Sequence, residues 1–121
     1  MGHRILVVED SAVIRRLIEI CLRAGDVEII TREDGPGGLE AVTTESPDLV
    51  ILDIGLPGMD GWKILEAIRS QPATRDIPIV VLTAHAERES QHRADEGGAD
   101  AFISKPFQPN DFRQKVLDLI R

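Results

Sequence analysis

Three uninterrupted apolar runs constrain this chain most: Ile5-Leu6-Val7-Val8, Leu49-Val50-Ile51-Leu52 and Ile79-Val80-Val81-Leu82. Each is of strand length. A strand without polar alternation has both faces covered, which places it inside a parallel sheet flanked by helices. Two further runs, Val27-Glu28-Ile29-Ile30-Thr31 and Ala101-Phe102-Ile103-Ser104, are more mixed and read as edge strands. Helical patterns fill the gaps, so strand and helix alternate five times. The sequence predicts strands near 4–9, 26–31, 48–53, 77–83 and 100–104, and helices near 11–24, 36–46, 60–71, 86–97 and 109–121. With right-handed crossovers, the simplest arrangement is an α/β, doubly wound, five-stranded parallel sheet in the order 2-1-3-4-5.

Local signals support these boundaries. Ser11 is placed to cap the first helix, Gly25 to end it, and Pro109 suits the first turn of the last. Two helices read as weak. The second starts Asp34-Gly35-Pro36-Gly37-Gly38, and glycine is costly in a helix. The fourth has only alanines as apolar residues and leans on charged pairs, Glu89/Arg93 and His92/Glu96, at i,i+4 spacing. It reads as a low-stability, mobile element.

In this strand order the chain reverses direction between strands one and three, and a crevice opens at their carboxyl ends. Glu9-Asp10 follows strand one and Asp53 ends strand three, so three carboxylates converge there. Thr83 ends strand four beside them, and Lys105 ends strand five. Clustered carboxylates repel and raise one another's pKa unless a cation intervenes. All-oxygen ligands favour Mg²⁺, Mn²⁺ or Ca²⁺ over zinc, and Mg²⁺, which keeps several waters, suits an open crevice. Thr83 and Lys105 are placed to hold phosphoryl oxygens, and Asp53 to act as the nucleophile.

Composition removes several function classes. Lys and Arg number 14 against 21 Asp and Glu, a net charge of −7, which weighs against nucleic acid as a direct ligand. No apolar run approaches the length of a membrane span or signal peptide, so a cytoplasmic location is expected. Cys21, the single cysteine, sits at helical spacing with Ile14, Leu17 and Ile18 and reads as a small buried hydrophobe. His3, His85 and His92 lack metal-ligand spacing. Trp62 reads as a packing residue on helix three.

Taken in order, Glu9-Asp10, Asp53 before Leu56-Pro57-Gly58-Met59-Asp60-Gly61, Thr83-Ala84 and Lys105-Pro106-Phe107 resemble the receiver domain of two-component response regulators. The match runs over essentially the whole chain, 1–121, as a single receiver with the flavodoxin-like (βα)5 fold. The resemblance implies a phosphoryl-accepting switch. Asp53 takes a phosphoryl group from a histidine kinase or a histidine phosphotransfer protein, with Mg²⁺ as cofactor. Asp10 would ligate the metal directly, Glu9 through water, and Gly55 through its backbone carbonyl. Thr83 and Lys105 would hold the phosphoryl oxygens. Phe102 would be the switch aromatic that follows Thr83, and Lys105-Pro106 a cis peptide. Gly55 and His85 would border the route of the water that hydrolyses the acyl phosphate. Signalling to a downstream effector would pass through helix four, strand five and helix five. The protein would catalyse its own phosphorylation and dephosphorylation without being an enzyme on other substrates.

Three other readings compete. A Mg²⁺-dependent nuclease or primase-like domain would carry Asp-x-Asp after strand three, where this chain has Gly55. A flavodoxin-like cofactor binder would need a Ser/Thr/Gly-rich loop after strand one in place of Glu9-Asp10. A degenerate receiver acting only as an interaction module would not need the full set of acids, Thr83 and Lys105. Winged-helix regulators of the family usually carry two acids after Gly-Ala at strand five. Here Ala101 follows Asp100, which weakens a symmetric dimer and leaves a monomer or a weak phosphorylation-dependent dimer as the expectation.

Overall fold

A computed structural model describes residues 2–23, 26–56, 58–84 and 88–120. Five parallel strands, β1 (His3–Val8), β2 (Val27–Arg32), β3 (Leu49–Asp53), β4 (Ile79–Thr83) and β5 (Ala101–Ser104), form one sheet in the order β2-β1-β3-β4-β5. The helices are α1 (Ala12–Leu22), α2 (Gly35–Thr44), α3 (Gly61–Ser70), α4 (Arg88–Glu96) and α5 (Pro109–Ile120). The continuous apolar runs occupy the three central strands, and the mixed runs the two edges, as their composition requires.

Alternation along each strand divides the core in two. Leu6, Val8, Val50, Leu52, Ile79 and Val81 face one side and pack against α2, α3 and Ala94 of α4. Ile5, Val7, Leu49, Ile51, Val80, Leu82 and Ile103 face the other and pack against α1 and α5, where Phe112 and Val116 are fully buried. Cys21 belongs to this second layer, and burial pushes its thiol pKa up.

Cap chemistry sets several helix starts. The side chains of Ser11, Asp34 and Asp60 accept from the N–H groups of Ile14, Gly37 and Trp62. The end of α1 falls at Arg23, and the Gly25 stop expected from sequence lies outside the described residues. Helix α2 forms despite its glycines because it lies so close to the sheet. A Cβ at Gly38 would sit 2.8 Å from a Val8 methyl, and one at Gly35 would sit within the contact radius of Met59 Sδ. The glycines lower helix propensity but allow this approach.

Helix α4 matches its weak sequence. Among its described side chains Ala94 is the fully buried one, and His92 pairs with Glu96 at 2.9 Å on an exposed face. The positions 86 and 87 assigned to its first turn lie outside the described residues. Its C-terminal end is well fixed. Gly98, at φ +87°, donates to Asp95, and Ala99 donates to Ala94, a Schellman closure. Arg69 at the end of α3 then reaches over. Its guanidinium donates to the carbonyls of Gly98, Arg75 and Ile77 and to the Asp100 carboxylate, at 2.6–2.9 Å.

Candidate functional site

Strand register brings the polar strand ends to one edge. Val8 pairs with Leu52, Asp53 with Leu82, and Thr83 with Ser104. The residues at or just after these positions therefore share one cleft of about 580 Å³, lined by Glu9, Asp10, Asp53, Thr83 and Lys105, with Gly55 at its rim. β1 stops at Val8 rather than at Glu9, although the Glu9 N–H still bonds the Arg32 carbonyl at 3.0 Å. Leaving the ladder there lets Glu9 turn its carboxylate into the cleft.

The charge arrangement is unusual for a protein interior. Glu9 is fully buried and Asp53 is only 3% exposed, while Asp10 is exposed. One oxygen from each lies within 4.8 Å of the others. Lys105 Nζ stands 2.9 Å from Asp53 Oδ2 and 2.6 Å from Glu9 Oε1. The second contact lacks the alignment of a hydrogen bond, so Glu9 Oε1 is a buried oxygen without a hydrogen-bond donor. Burial, followed by its hydrogen bond to Asp53, raises the Glu9 pKa from 4.5 to about 7, against the pull of Lys105. Burial also opposes ionisation of Asp53, but hydrogen bonds from Glu9, Lys105 and the Gly55 N–H outweigh it and lower that pKa. Lys105 is held above its ordinary value because Glu9 and Asp53 overcome its own desolvation. One ammonium thus serves two buried carboxylates, with a third carboxylate at the rim. This oxygen-only donor set, with an under-coordinated buried oxygen, fits a small hard divalent cation.

The remaining expected residues fall as follows. Thr83 is buried and lines the cleft, and its carbonyl accepts from the Lys105 N–H at 2.8 Å. The Lys105–Pro106 peptide is cis, and Pro106 is exposed. Phe102 does not line the cleft. It is half-buried, packs on the core beside α4, and borders a second groove with Gln91, Phe107 and Lys115. His85 lies outside the described residues, as does Pro57 of the loop motif.

Trp62 and Ser90 are among the cleft residues that sequence reasoning missed. Trp62 does pack on the core as expected, but it also lines the cleft, and the Arg93 guanidinium lies over its ring at 4.7 Å. Its position directly after Gly61 at the start of α3 is the available signal. Ser90, in the first turn of α4, also lines the cleft. Nothing in the sequence marks it, because its placement depends on how α4 is seated.

Comparison with known proteins agrees with this geometry. The family model described as the response regulator receiver domain matches residues 5–117. The phosphate regulon transcriptional regulatory protein PhoB of Escherichia coli (strain K12) is 37% identical over the full 121 residues, which make up 53% of that relative. The response regulator PleD of Caulobacter vibrioides is also 37% identical, with this chain covering 27% of its length. The chain therefore spans about half the length of the former and about a quarter of the latter. Among solved structures, a putative response regulator from Chloroflexus aurantiacus superposes with a TM-score of 0.93 at 29% identity, covering 99% of this chain and 98% of that one. The Mn²⁺-bound form of response regulator Rcp1 superposes with a TM-score of 0.83 at 28% identity, covering 98% and 91%. By sequence match, sheet order and the placing of its acids, this chain belongs to the receiver domain family of two-component response regulators.

Proposed function

We propose that Asp53 accepts a phosphoryl group from a phosphohistidine on a kinase or phosphotransfer protein, and that the whole chain acts as one receiver unit. The observation that carries this reading is the position of Asp53: 3% exposed, lining the cleft, with Lys105 Nζ 2.9 Å away and the Glu9 and Asp10 oxygens beside it. An Asp53 carboxylate oxygen attacks phosphorus, the P–N bond to histidine breaks, and the imidazole leaves. Lys105 is placed to follow one phosphoryl oxygen, and Thr83 to donate to another. Asp10, Asp53, the Gly55 carbonyl and, through water, Glu9 would hold Mg²⁺. The metal supplies charge neutralisation for the transferring group when bound.

Hydrolysis of the acyl phosphate would return the switch to rest. Gly55 borders that route, and the proposed companion His85 lies outside the described residues. Output would pass through α4, β5 and α5, with Thr83 drawn toward the phosphate and Phe102 moving into the space it leaves. Population shift between two existing states is sufficient. A cytoplasmic location and a downstream protein partner follow from this reading. The complete set of acids with Thr83 and Lys105 favours an active receiver over a degenerate one.

The test is labelling with acetyl phosphate and Mg²⁺. One base-labile phosphoryl group per chain is expected, and none in Asp53→Ala. Equal labelling of that variant would show that the acceptor lies elsewhere.

A further inference from the structure

We infer that Arg15 is a positioning residue for the metal-binding acids, acting through the backbone of the loop that carries them. The inference rests on the metal site proposed above.

Asp10 is the exposed acid of the cluster, and no side chain among the described residues hydrogen-bonds its carboxylate. Its aim is therefore set by its backbone, and first by the peptide that joins it to Glu9. That peptide is pinned by Arg15, whose Nη1 donates to the Glu9 carbonyl at 2.8 Å. Residue 15 lies one turn into α1, and Arg15 N donates to Ser11 O at 3.0 Å, so the helix that begins at Ser11 carries the clasp. The Arg15 side chain is only 15% exposed, and its Nη2 extends to Glu33 Oε1 at 3.3 Å beyond β2. From the other side, the Glu9 N–H is tied to the Arg32 carbonyl, and Glu9 Oε2 accepts from the Ser11 N–H at 3.3 Å. Without the guanidinium, the Glu9 carbonyl loses its side-chain partner and the Glu9–Asp10 peptide is free to rotate. Rotation swings the Asp10 carboxylate away from Asp53.

Groups that orient metal ligands typically account for 10–100-fold in affinity. Arg15→Ala should therefore weaken Mg²⁺ binding to the unphosphorylated protein about 10-fold, at the low end because the clasp is indirect. Binding can be followed by the fluorescence of Trp62, the single tryptophan, which lines the cleft. Acetyl phosphate labelling at saturating Mg²⁺ should fall less than threefold, since no reacting atom touches Arg15. In metal-free buffer, amide exchange at Asp10 and Ser11 should accelerate in Arg15→Ala. Arg15→Lys, which keeps one cationic donor, should recover part of the Mg²⁺ affinity. Glu33→Gln should change it less than twofold, because that pair is exposed.

Asp10→Asn is the reference. If it leaves Mg²⁺ affinity unchanged, the metal site itself is wrong. If it weakens binding while Arg15→Ala does not, only the role of Arg15 is overturned. Should Arg15→Ala prove unfolded in its melting curve, Arg15→Lys decides. Binding in that variant weakened as much as in Asp10→Asn, or Glu33→Gln matching the loss in Arg15→Lys, would overturn the carbonyl clasp.

Discussion

Lys105→Met removes the one cation among the described residues in contact with both Glu9 and Asp53, and the structure sets the scale of the loss. Removing one partner of a buried ion pair costs about 3–5 kcal/mol. Lys105 keeps 18% of its side chain exposed, and Glu9 can hold a proton, so roughly 2–3 kcal/mol is expected in metal-free buffer at pH 8. At roughly 4 °C per kcal/mol for a domain of this size, the melting temperature should fall by about 8–12 °C. The sign of the pH dependence follows from Glu9. Its folded pKa of about 7 lies above its ordinary 4.5, so the folded state holds a proton the unfolded chain has released. Stability from this group is lost as pH rises from about 4.5 through about 7. Below about pH 7 the folded-state Glu9 is mostly neutral and Lys105 has one fewer charge to balance, so the penalty should be smaller at pH 6 than at pH 8. Mg²⁺ supplies the missing charge. At 100 times its Kd a ligand contributes about 2.7 kcal/mol, and the increment should be larger in the variant, where no ammonium competes for the acids. Thermal melts of both proteins with EDTA and with Mg²⁺ make the measurement. A variant that melts with wild type at pH 8 in EDTA, or that gains no more from Mg²⁺ than wild type does, would refute the shared-cation account.

Three further outcomes are expected. Gly55→Leu should slow loss of the phosphoryl group severalfold after the donor is removed. A Cβ there meets nothing closer than Asp53 Oδ1 at 3.4 Å, so the side chain fits and shields the cleft, and Mg²⁺ affinity should hold because the ligand is backbone. An unchanged hydrolysis rate would show that position 55 does not gate the water. Gly61→Ala should destabilise the fold by about 2 kcal/mol in urea unfolding: its Cβ would overlap the Ile54 backbone, and overpacking of about 1–3 kcal/mol outweighs the helix-propensity gain of about 1 kcal/mol. A stabilised variant would contradict that packing. With a beryllofluoride phosphate mimic, changes in amide exchange should concentrate between residues 83 and 106, and changes confined to the loop after Asp53 would sink the proposed output route.

The strand order was legible because burial leaves a direct trace in composition. β1, β3 and β4 carry unbroken apolar runs, while β2 and β5 interleave Glu28, Thr31 and Ser104. The acids were legible for the same reason, since each interrupts or ends an apolar run. What the chain hides is distance across the fold. Gly35 and Gly38 read as defects in α2 until Met59 and Val8 are seen beneath them. Arg69 reads as one more helix charge, yet it bonds three carbonyls from two loops. Ser90 comes to the cleft only through the seating of α4, and no local pattern encodes that. Family likeness marks Phe102 as the switch aromatic, and its half-buried place outside the cleft is set by packing beside α4.

The grip of Arg69 on the Gly98 turn has a mechanical consequence. It pins one end of α4, while along its length the helix rests on Ala94 and on Arg93 lying over Trp62. A rod fastened at one end turns about that end when pulled sideways. The nine residues of α4 make a lever about 13 Å long, so a turn of about 10° about the Gly98 end carries the opposite end through about 2 Å. That end is the one nearest Ser90 and the cleft, so the largest arc falls beside the acids and the smallest at the far loop. Under the proposed output route, a displacement at Thr83 would act on the longest arm, where the smallest force turns the helix, and the Gly98 turn would keep its place.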